Sequence, residues 1–225
     1  MNNGIILLTL PLWIVLPFLV AAVLYTQIPG WRFFRTAFFM PAIISPVIIG
    51  IFFEVMLRFD GPLNIILREV GLGWLARQWL VDLSTALPLL IAVVVWATFG
   101  IGVLIFLAAL QGIDPQLLDA ARVDGASWLQ TQRYVVIPEI QPVVEFWTIV
   151  MLILSFTGIF PFVFTLTGGG PGHATSVIEL RIYLAAFQSG SLGYASAIGV
   201  VLLGIVLVVV ALALTWLRRE RARFA

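Results

Sequence analysis

Five stretches of this chain are long and apolar enough to restrict its folds severely. They run near 4–27, 37–57, 86–111, 142–166 and 193–217. A helix needs roughly 20 apolar residues to cross a hydrocarbon core of about 30 Å. No water reaches that depth to satisfy a free backbone group, so each stretch predicts a helical span. The clearest is the last, where 197–214 carries no charge and no strongly polar side chain. The second holds Pro41, Pro46 and Glu54, which predicts a kink, and the fourth has Glu145 near one end and Pro161 near the other. Neighbouring helices cover the backbone groups that such prolines free. The first stretch is too long for a signal peptide, and Met1-Asn2-Asn3-Gly4 supplies no positive n-region. The fold class expected is an all-α integral membrane protein with five spans. Composition agrees: 62% of the 225 residues are hydrophobic and 10% charged, against about half and about a quarter in soluble domains.

Composition also removes several chemistries. There is no cysteine, which excludes disulfides, thiolate metal sites and cysteine nucleophiles. His173 is the one histidine, so no histidine cluster holds a metal, and it reads as a solvated loop residue. A net charge of +1 argues against a nucleic-acid partner. No GxxxxGK[ST] phosphate loop is present, and neither Glu54 nor Glu145 has the spacing of a catalytic pair. Both lie near span ends, where snorkelling or a polar contact with another subunit accommodates them.

Arginine placement orients the spans. The loops at 28–36 and 112–141 and the tail after 217 hold eight arginines, and the opposite side holds four, Arg58, Arg68, Arg77 and Arg181. The eight-arginine side is expected in the cytoplasm, which puts the N-terminus outside. On the outer side, the loop at 58–85 has turn signals at Asp60-Gly61-Pro62 and Gly71-Leu72-Gly73. Ile65, Ile66 and Leu67, then Trp74, Leu75, Trp79 and Leu80, predict short interfacial helices there.

The loop at 113–142 has the most local signal. Asp114 is an N-cap and Pro115 suits the first helical position. The helix is expected to run through Val123 and to stop at Gly125, the residue that best adopts a left-handed C-cap. Ser127 opens a second helix with Gln130 three residues on, a capping box. Pro138 is expected to end it, and Pro142 leads into the fourth span. Leu117, Leu118 and Ala121 give an apolar edge beside small Ala120 and Ala121, which suits docking by another protein. Helix signals alone equally suit a membrane-surface helix pair in any transporter or channel.

The stretch Asp119-Ala120-Ala121-Arg122-Val123-Asp124-Gly125-Ala126, with Pro138 beyond it, resembles the EAA loop of bacterial ATP-binding-cassette (ABC) importer permeases. That pattern is Glu-Ala-Ala, two variable residues, Asp-Gly-Ala, then Leu-Pro. Asp119 replaces the glutamate and Ile137 the leucine. An aromatic of the second helix falls on Gln132, with Tyr134 close by. The resemblance implies a type I ABC importer transmembrane domain, with 113–141 as the coupling loop. Asp119, Ala120, Ala121, Asp124, Gly125, Ala126 and Pro138 would then seat in a nucleotide-binding subunit.

The resemblance also implies partners: a second homologous permease, two ABC ATPase subunits and an extracytoplasmic solute-binding protein, all at a bacterial cytoplasmic membrane. ATP and magnesium would bind those ATPase subunits, so this chain is expected to bind no cofactor and catalyse no reaction. The transmembrane domain is expected over 1–217, followed by a cytoplasmic basic tail at 218–225.

Between 161 and 196 the sequence leaves the membrane. Gly168-Gly169-Gly170-Pro171-Gly172 cannot continue a helix. Ser176 with Glu179 reads as a capping box, and Val177, Leu180, Leu184 and Phe187 share one face of the helix that follows. Gly190 and Gly193 are expected to end it. By chemistry alone this is a hairpin between two spans, the extracellular segment 167–192. Phe164 to Gly172 (FTLTGGGPG), Ala174-Thr175, Tyr183, Ala186-Phe187 and Leu192 to Ala197 look like the sugar-type permeases, as does Arg32 to Pro41. These imply a carbohydrate or polyol-phosphate cargo. The resemblance starts at the family's second span, so the first span of its six-span core is expected to be absent.

Sugars are held by aromatic faces and hydrogen bonds. Trp96, Thr98 and Phe99 in the third span, with Trp147, Ser155, Phe156 and Thr157 in the fourth, are the candidate path; the same residues suit lipid-facing rings and backbone-bonded hydroxyls. Two other classes compete. An ion-coupled carrier places ionisable residues near the bilayer midplane, and this chain has none there. A non-transporting scaffold has no need of the glycine turn at 119–126.

Overall fold

The computed structural model describes residues 2–224, with side chains through Leu217. In chain order the helices are α1 (Asn2–Leu8), α2 (Leu10–Tyr25), α3 (Trp31–Ile43), α4 (Pro46–Met56), α5 (Pro62–Glu69), α6 (Ala86–Gln111) and α7 (Pro115–Val123). There follow α8 (Trp128–Thr131), α9 (Ile137–Glu139), α10 (Gln141–Thr157), α11 (Phe160–Leu166), α12 (Ile178–Tyr183) and α13 (Leu192–Phe224). Among the described residues there is no β-strand. Three segments are long and apolar enough to cross a membrane: Asn2–Tyr25, Ala86–Gln111 and Leu192–Leu217. The total rises to five if the bent pairs Trp31–Ile43 with Pro46–Met56 and Trp128–Glu139 with Gln141–Thr157 each count as one span.

Three predicted spans are not single helices, the first being interrupted at Thr9 between α1 and α2. The second breaks between α3 and α4 with a bend of 97°. Pro46 lacks an N–H and pushes Ser45 to an extended ψ of 136°, the steric effect of proline on its predecessor. The fourth, expected over 142–166, ends as α10 at Thr157 and restarts as α11 at Phe160. The predicted basic tail continues the last helix as far as Phe224; its arginine side chains lie outside the described residues.

The chain forms two compact units. One takes the chain through Thr9, Ile43–Ala97 and Leu152–Val208. Here α11 packs along α4, and Gly50 makes the close approach possible: a Cβ there would run into the Thr165 side chain. Leu90, Val94, Val163 and Leu180 fill the core. The loop at 58–85 forms α5 and a 3₁₀ turn at Gly73–Leu75, and the rest is irregular but ordered around fully buried Asn64. Its amide nitrogen lies 2.9 Å from the Arg77 carbonyl and 3.1 Å from that of Phe59, and the Trp79 indole donates to its oxygen at 2.9 Å. Trp79 is thus a clamp for this loop, while Trp74 is exposed.

The other unit holds Leu10–Ala42, Thr98–Met151 and the chain from Val209. Trp13, Phe106 and Leu110 are its large buried side chains. Phe18 meets Phe106 edge-on at 5.9 Å, and the Trp147 indole donates to the Trp13 carbonyl at 2.9 Å. Between helices in lipid there is no hydrophobic drive, so close packing and such bonds carry association. One helix stands apart in this respect. Of the apolar window in Leu192–Leu217, 6% is buried by this chain, against 61% for Ala86–Gln111.

Replacing Gly50 with leucine should separate α4 from α11 and destabilise the protein by about 1–3 kcal/mol, the usual overpacking range. A lower melting temperature of the purified protein, measured beside Gly4→Leu, whose site has nothing within 4 Å, checks it.

Candidate functional site

The loop after α6 is built as a rigid double helix-turn. The Asp114 carboxylate accepts from Gln116 N–H at 2.9 Å, with Pro115 next to it opening α7. At the far end Ala126 N–H bonds Ala121 O at 3.0 Å and Gly125 N–H bonds Arg122 O at 3.1 Å. These are the paired bonds of a Schellman cap, and Gly125 takes the φ of +73° that the cap requires. Nothing lies within 4 Å of a Cβ added at Gly125, so the turn faces open space. The predicted capping box is formed: Ser127 N–H donates to Gln130 Oε1 at 2.7 Å, and Gln130 N–H reaches Ser127 Oγ at 3.4 Å.

The second helix departs from expectation. Pro138 does not end it. A π-helical turn at Gln132–Val136, with Ile137 N–H bonded to Gln132 O, runs into α9, and the break falls at Ile140 with a bend of 74°. Proline has no N–H to give and its ring crowds the carbonyl four residues back; the wider turn absorbs both defects. The wider turn also leaves Gln132 half-buried and Tyr134 exposed.

The apolar edge is likewise different from the predicted one. Ala121 is buried, Leu118 is half-buried, and Leu117 is exposed together with Trp128, Leu129 and Val123, the last 88% accessible. Asp119 and Ala120 are exposed and Ala126 is half-buried. Asp119 pairs with Arg122 on the surface at 2.9 Å, and Asp124 is the exposed C-cap. Sequence reasoning missed Val123, Trp128 and Leu129 as an apolar face; their signal was three large apolar residues in a polar loop.

The glycine-rich exit is a second built element, within the other unit. Gly168, Gly169 and Gly172 all have positive φ. Fully buried Thr175 donates to the Gly170 carbonyl at 2.7 Å, and its hydroxyl lies 2.6 Å from that of Thr167. The expected Ser176–Glu179 capping box is absent, because Asn3 of α1 takes its place. Its Oδ1 accepts from Ile178 N–H at 3.1 Å, while its amide nitrogen lies 3.2 Å from Ser155 O and 3.4 Å from Glu179. Glu179 instead accepts from Ile159 N–H at 3.3 Å, where the chain breaks between α10 and α11. The predicted apolar face also shifts. A second π turn at Leu184–Gln188 adds a residue, so Ala185 is buried and Phe187 is exposed. Gly190 ends this helix at φ +64°, while Gly193 lies inside α13. His173 is exposed, and its carbonyl accepts from Asn2.

The candidate path residues divide between the units. In the first, Trp96 is exposed and edge-on to Phe53 at 5.4 Å, Ser155 and Phe156 are buried, and exposed Thr157 donates to Ile153 O. Ser155 Oγ donates to Leu152 O at 2.6 Å. In the second, Thr98 and Trp147 are buried, and half-buried Phe99 meets Phe38 at 5.5 Å. Trp147, Ser155 and Phe156 thus serve this chain's own packing here. Glu54 is held bidentately by Arg58, and Gln141 donates to Glu145 at 3.0 Å.

An all-α arrangement of long apolar helices, carrying a capped helix-turn-helix on a polar loop, is that of a multi-span membrane protein. Comparison with known proteins names the family. The chain is 38% identical over 176 residues to the probable ABC transporter permease protein YurN of Bacillus subtilis, covering 78% of this chain and 60% of that protein. It is 33% identical to the multiple sugar-binding transport system permease protein MsmF of Streptococcus mutans, covering 84% and 64%. A probable ABC transporter permease protein of Pyrococcus horikoshii is 31% identical over 216 residues, 96% of this chain and 74% of that protein. The chain belongs to the ABC transporter permeases. It spans about three fifths of the length of the first two relatives. No family model matches. The fold agrees with the crystal structure of a bacterial ABC transporter that imports the acidic polysaccharide alginate: TM-score 0.82, 24% identity, covering 97% of this chain and 77% of that one.

Burial raises the Glu179 carboxyl above the ordinary range, against hydrogen bonds that lower it. The native state then binds the proton more tightly than the unfolded state, so stability is highest at low pH. It is lost as pH rises from the ordinary glutamate value through the raised one. Glu179→Gln should flatten that part of the profile, read as melting temperature against pH for both proteins.

Proposed function

We propose that this chain is the membrane permease subunit of an ABC importer for a carbohydrate or polyol phosphate, with residues 113–141 in the cytoplasm as the coupling loop. The observation that carries this reading is the capped turn at Asp119–Ala126. It combines an open left-handed glycine with an exposed apolar edge that the chain leaves uncovered. Partner nucleotide-binding subunits would supply ATP, magnesium and hydrolysis. Their closure would press on Val123, Trp128 and Leu129 and bias the spans between two states, as a ligand with unequal affinity for two conformations does. A homologous permease beside this one, and an external solute-binding protein, would complete the transporter in a bacterial cytoplasmic membrane. Support for the cargo class comes from the similarity to MsmF, a multiple sugar-binding transport system permease protein, and from the glycine-rich exit. Trp96 and Thr157, the exposed members of the candidate path, are the first places to look for sugar contact.

Two substitutions separate coupling from folding. Gly125→Ile forces a β-branched residue to positive φ and fills the open face, and should abolish uptake while leaving ATP hydrolysis low or unresponsive to substrate. Val123→Arg alters a fully solvated side chain, so the subunit should assemble in the membrane yet retain its ATPase partner at least about tenfold less well, in line with loss of an interface anchor. Normal uptake by both variants, with no ATPase co-purifying with the unaltered protein, rejects the importer reading.

A further inference from the structure

Under the coupling loop lies a pocket of about 270 Å³ that docking to an ATPase leaves unexplained. Its polar and aromatic rim is Tyr25, Thr26, Arg122, Trp128, Thr131 and Gln132, and its floor is apolar, with Ala22 and Leu110. All of these belong to one compact unit. The pocket is therefore walled both by the last turns of two spans and by the helices of the loop.

Three features describe what fits it. The first is depth. Helix α2 ends at Tyr25 and α6 at Gln111, so the pocket sits where two spans leave the hydrocarbon. Lipid headgroups lie at that level, and tyrosine and tryptophan concentrate there. The second is charge. Among the described residues lining it there is an arginine but no carboxylate. Arg122 Nη1 is engaged with Asp119 at 2.9 Å, and a guanidinium carries five N–H donors in a fork that suits phosphate. The third is an unmet acceptor. Gln132 Oε1 is buried with no hydrogen-bond donor, and it sits on the π turn, a local distortion common at functional sites. Turning that amide into the pocket would let it accept from a hydroxyl there.

We propose that the pocket binds a phosphate ester bearing free hydroxyls, supplied by the headgroup of an anionic glycerol phospholipid. The phosphate pairs with Arg122, a headgroup hydroxyl donates to Gln132, and the acyl chains leave toward the bilayer over the apolar floor. A choline headgroup has no hydroxyl to donate. A soluble glycerol phosphate shares the headgroup chemistry, but the depth of the pocket favours the lipid. Bound there, the lipid ties α7 and α8 to the ends of α2 and α6, so bilayer composition sets how firmly the loop is held. The inference rests on the membrane placement of α2 and α6 and stands whatever the cargo.

The test uses the complete transporter in nanodiscs of phosphatidylcholine with phosphatidylglycerol, and native mass spectrometry to count the lipids retained. The unaltered protein should keep one phosphatidylglycerol per copy of this chain. Arg122→Gln should hold it about tenfold more weakly, the effect expected for one charge-assisted hydrogen bond, and Arg122→Lys should restore part of it. The unaltered protein should also prefer phosphatidylglycerol to phosphatidylmethanol, which has the charge but no hydroxyl, and Gln132→Leu should erase that preference. Equal retention of phosphatidylcholine and phosphatidylglycerol by the unaltered protein overturns the proposal without any variant. So does equal retention by Arg122→Gln. Displacement of the lipid by millimolar glycerol 3-phosphate reassigns the pocket to a free phosphate ester and overturns the lipid source.

Discussion

A helix that stops inside or beside a membrane leaves backbone groups that must find partners within the protein. This constraint shapes several irregular points of the chain. Where α10 breaks, Glu179 reaches back to the free N–H of Ile159. Where α12 begins, Asn3 supplies the cap. The glycine-rich exit is closed by Thr167 and Thr175, and the turn after α7 satisfies its carbonyls through the paired bonds of Gly125 and Ala126. Asn3 and Thr175, two of the buried polar side chains, therefore serve such breaks.

The same rule separates two kinds of element. The loop at 113–141 is closed by bonds between near neighbours: Asp114 with Gln116, Ser127 with Gln130, Ala126 with Ala121. It can hold its shape as a body while its outer face waits for a partner. The start of α12 beyond the exit is instead tied by bonds between segments far apart in sequence, Asn3 with Ile178 and Ser155. Its geometry therefore depends on the positions of α1, α10 and α12 together.

This division also explains what the sequence revealed. Helix α6 matches its predicted limits, and Asp114, Gly125 and Ser127 perform the capping roles read from spacing, because those signals act within a few residues. Ser176 followed by Glu179 carried the same kind of signal and misled, since a residue at the other end of the chain competes for the cap. Both π turns were invisible to a count made at 3.6 residues per turn, and each changes which of its own residues are covered: Tyr134 is exposed, and Ala185 rather than Leu184 is buried. Burial of Trp147, Ser155 and Phe156 depends on neighbours distant in sequence, so their residue types alone did not reveal it. The pocket beneath the coupling loop was equally hidden, since its rim is gathered from three separate stretches.

Gly125 has one more consequence, for how such a loop can change over generations. Any residue with a Cβ at its φ of +73° carries a penalty of about 1–2 kcal/mol, eased only for asparagine and aspartate. The position therefore offers almost no intermediate settings. Under the proposed coupling role, strength of engagement would be adjusted instead at Val123, Trp128 and Leu129, whose exposed side chains can vary with little effect on folding. The turn is a fixed point of the loop, and, if the proposed coupling role holds, its neighbours are the adjustable surface through which a permease would be matched to a particular motor.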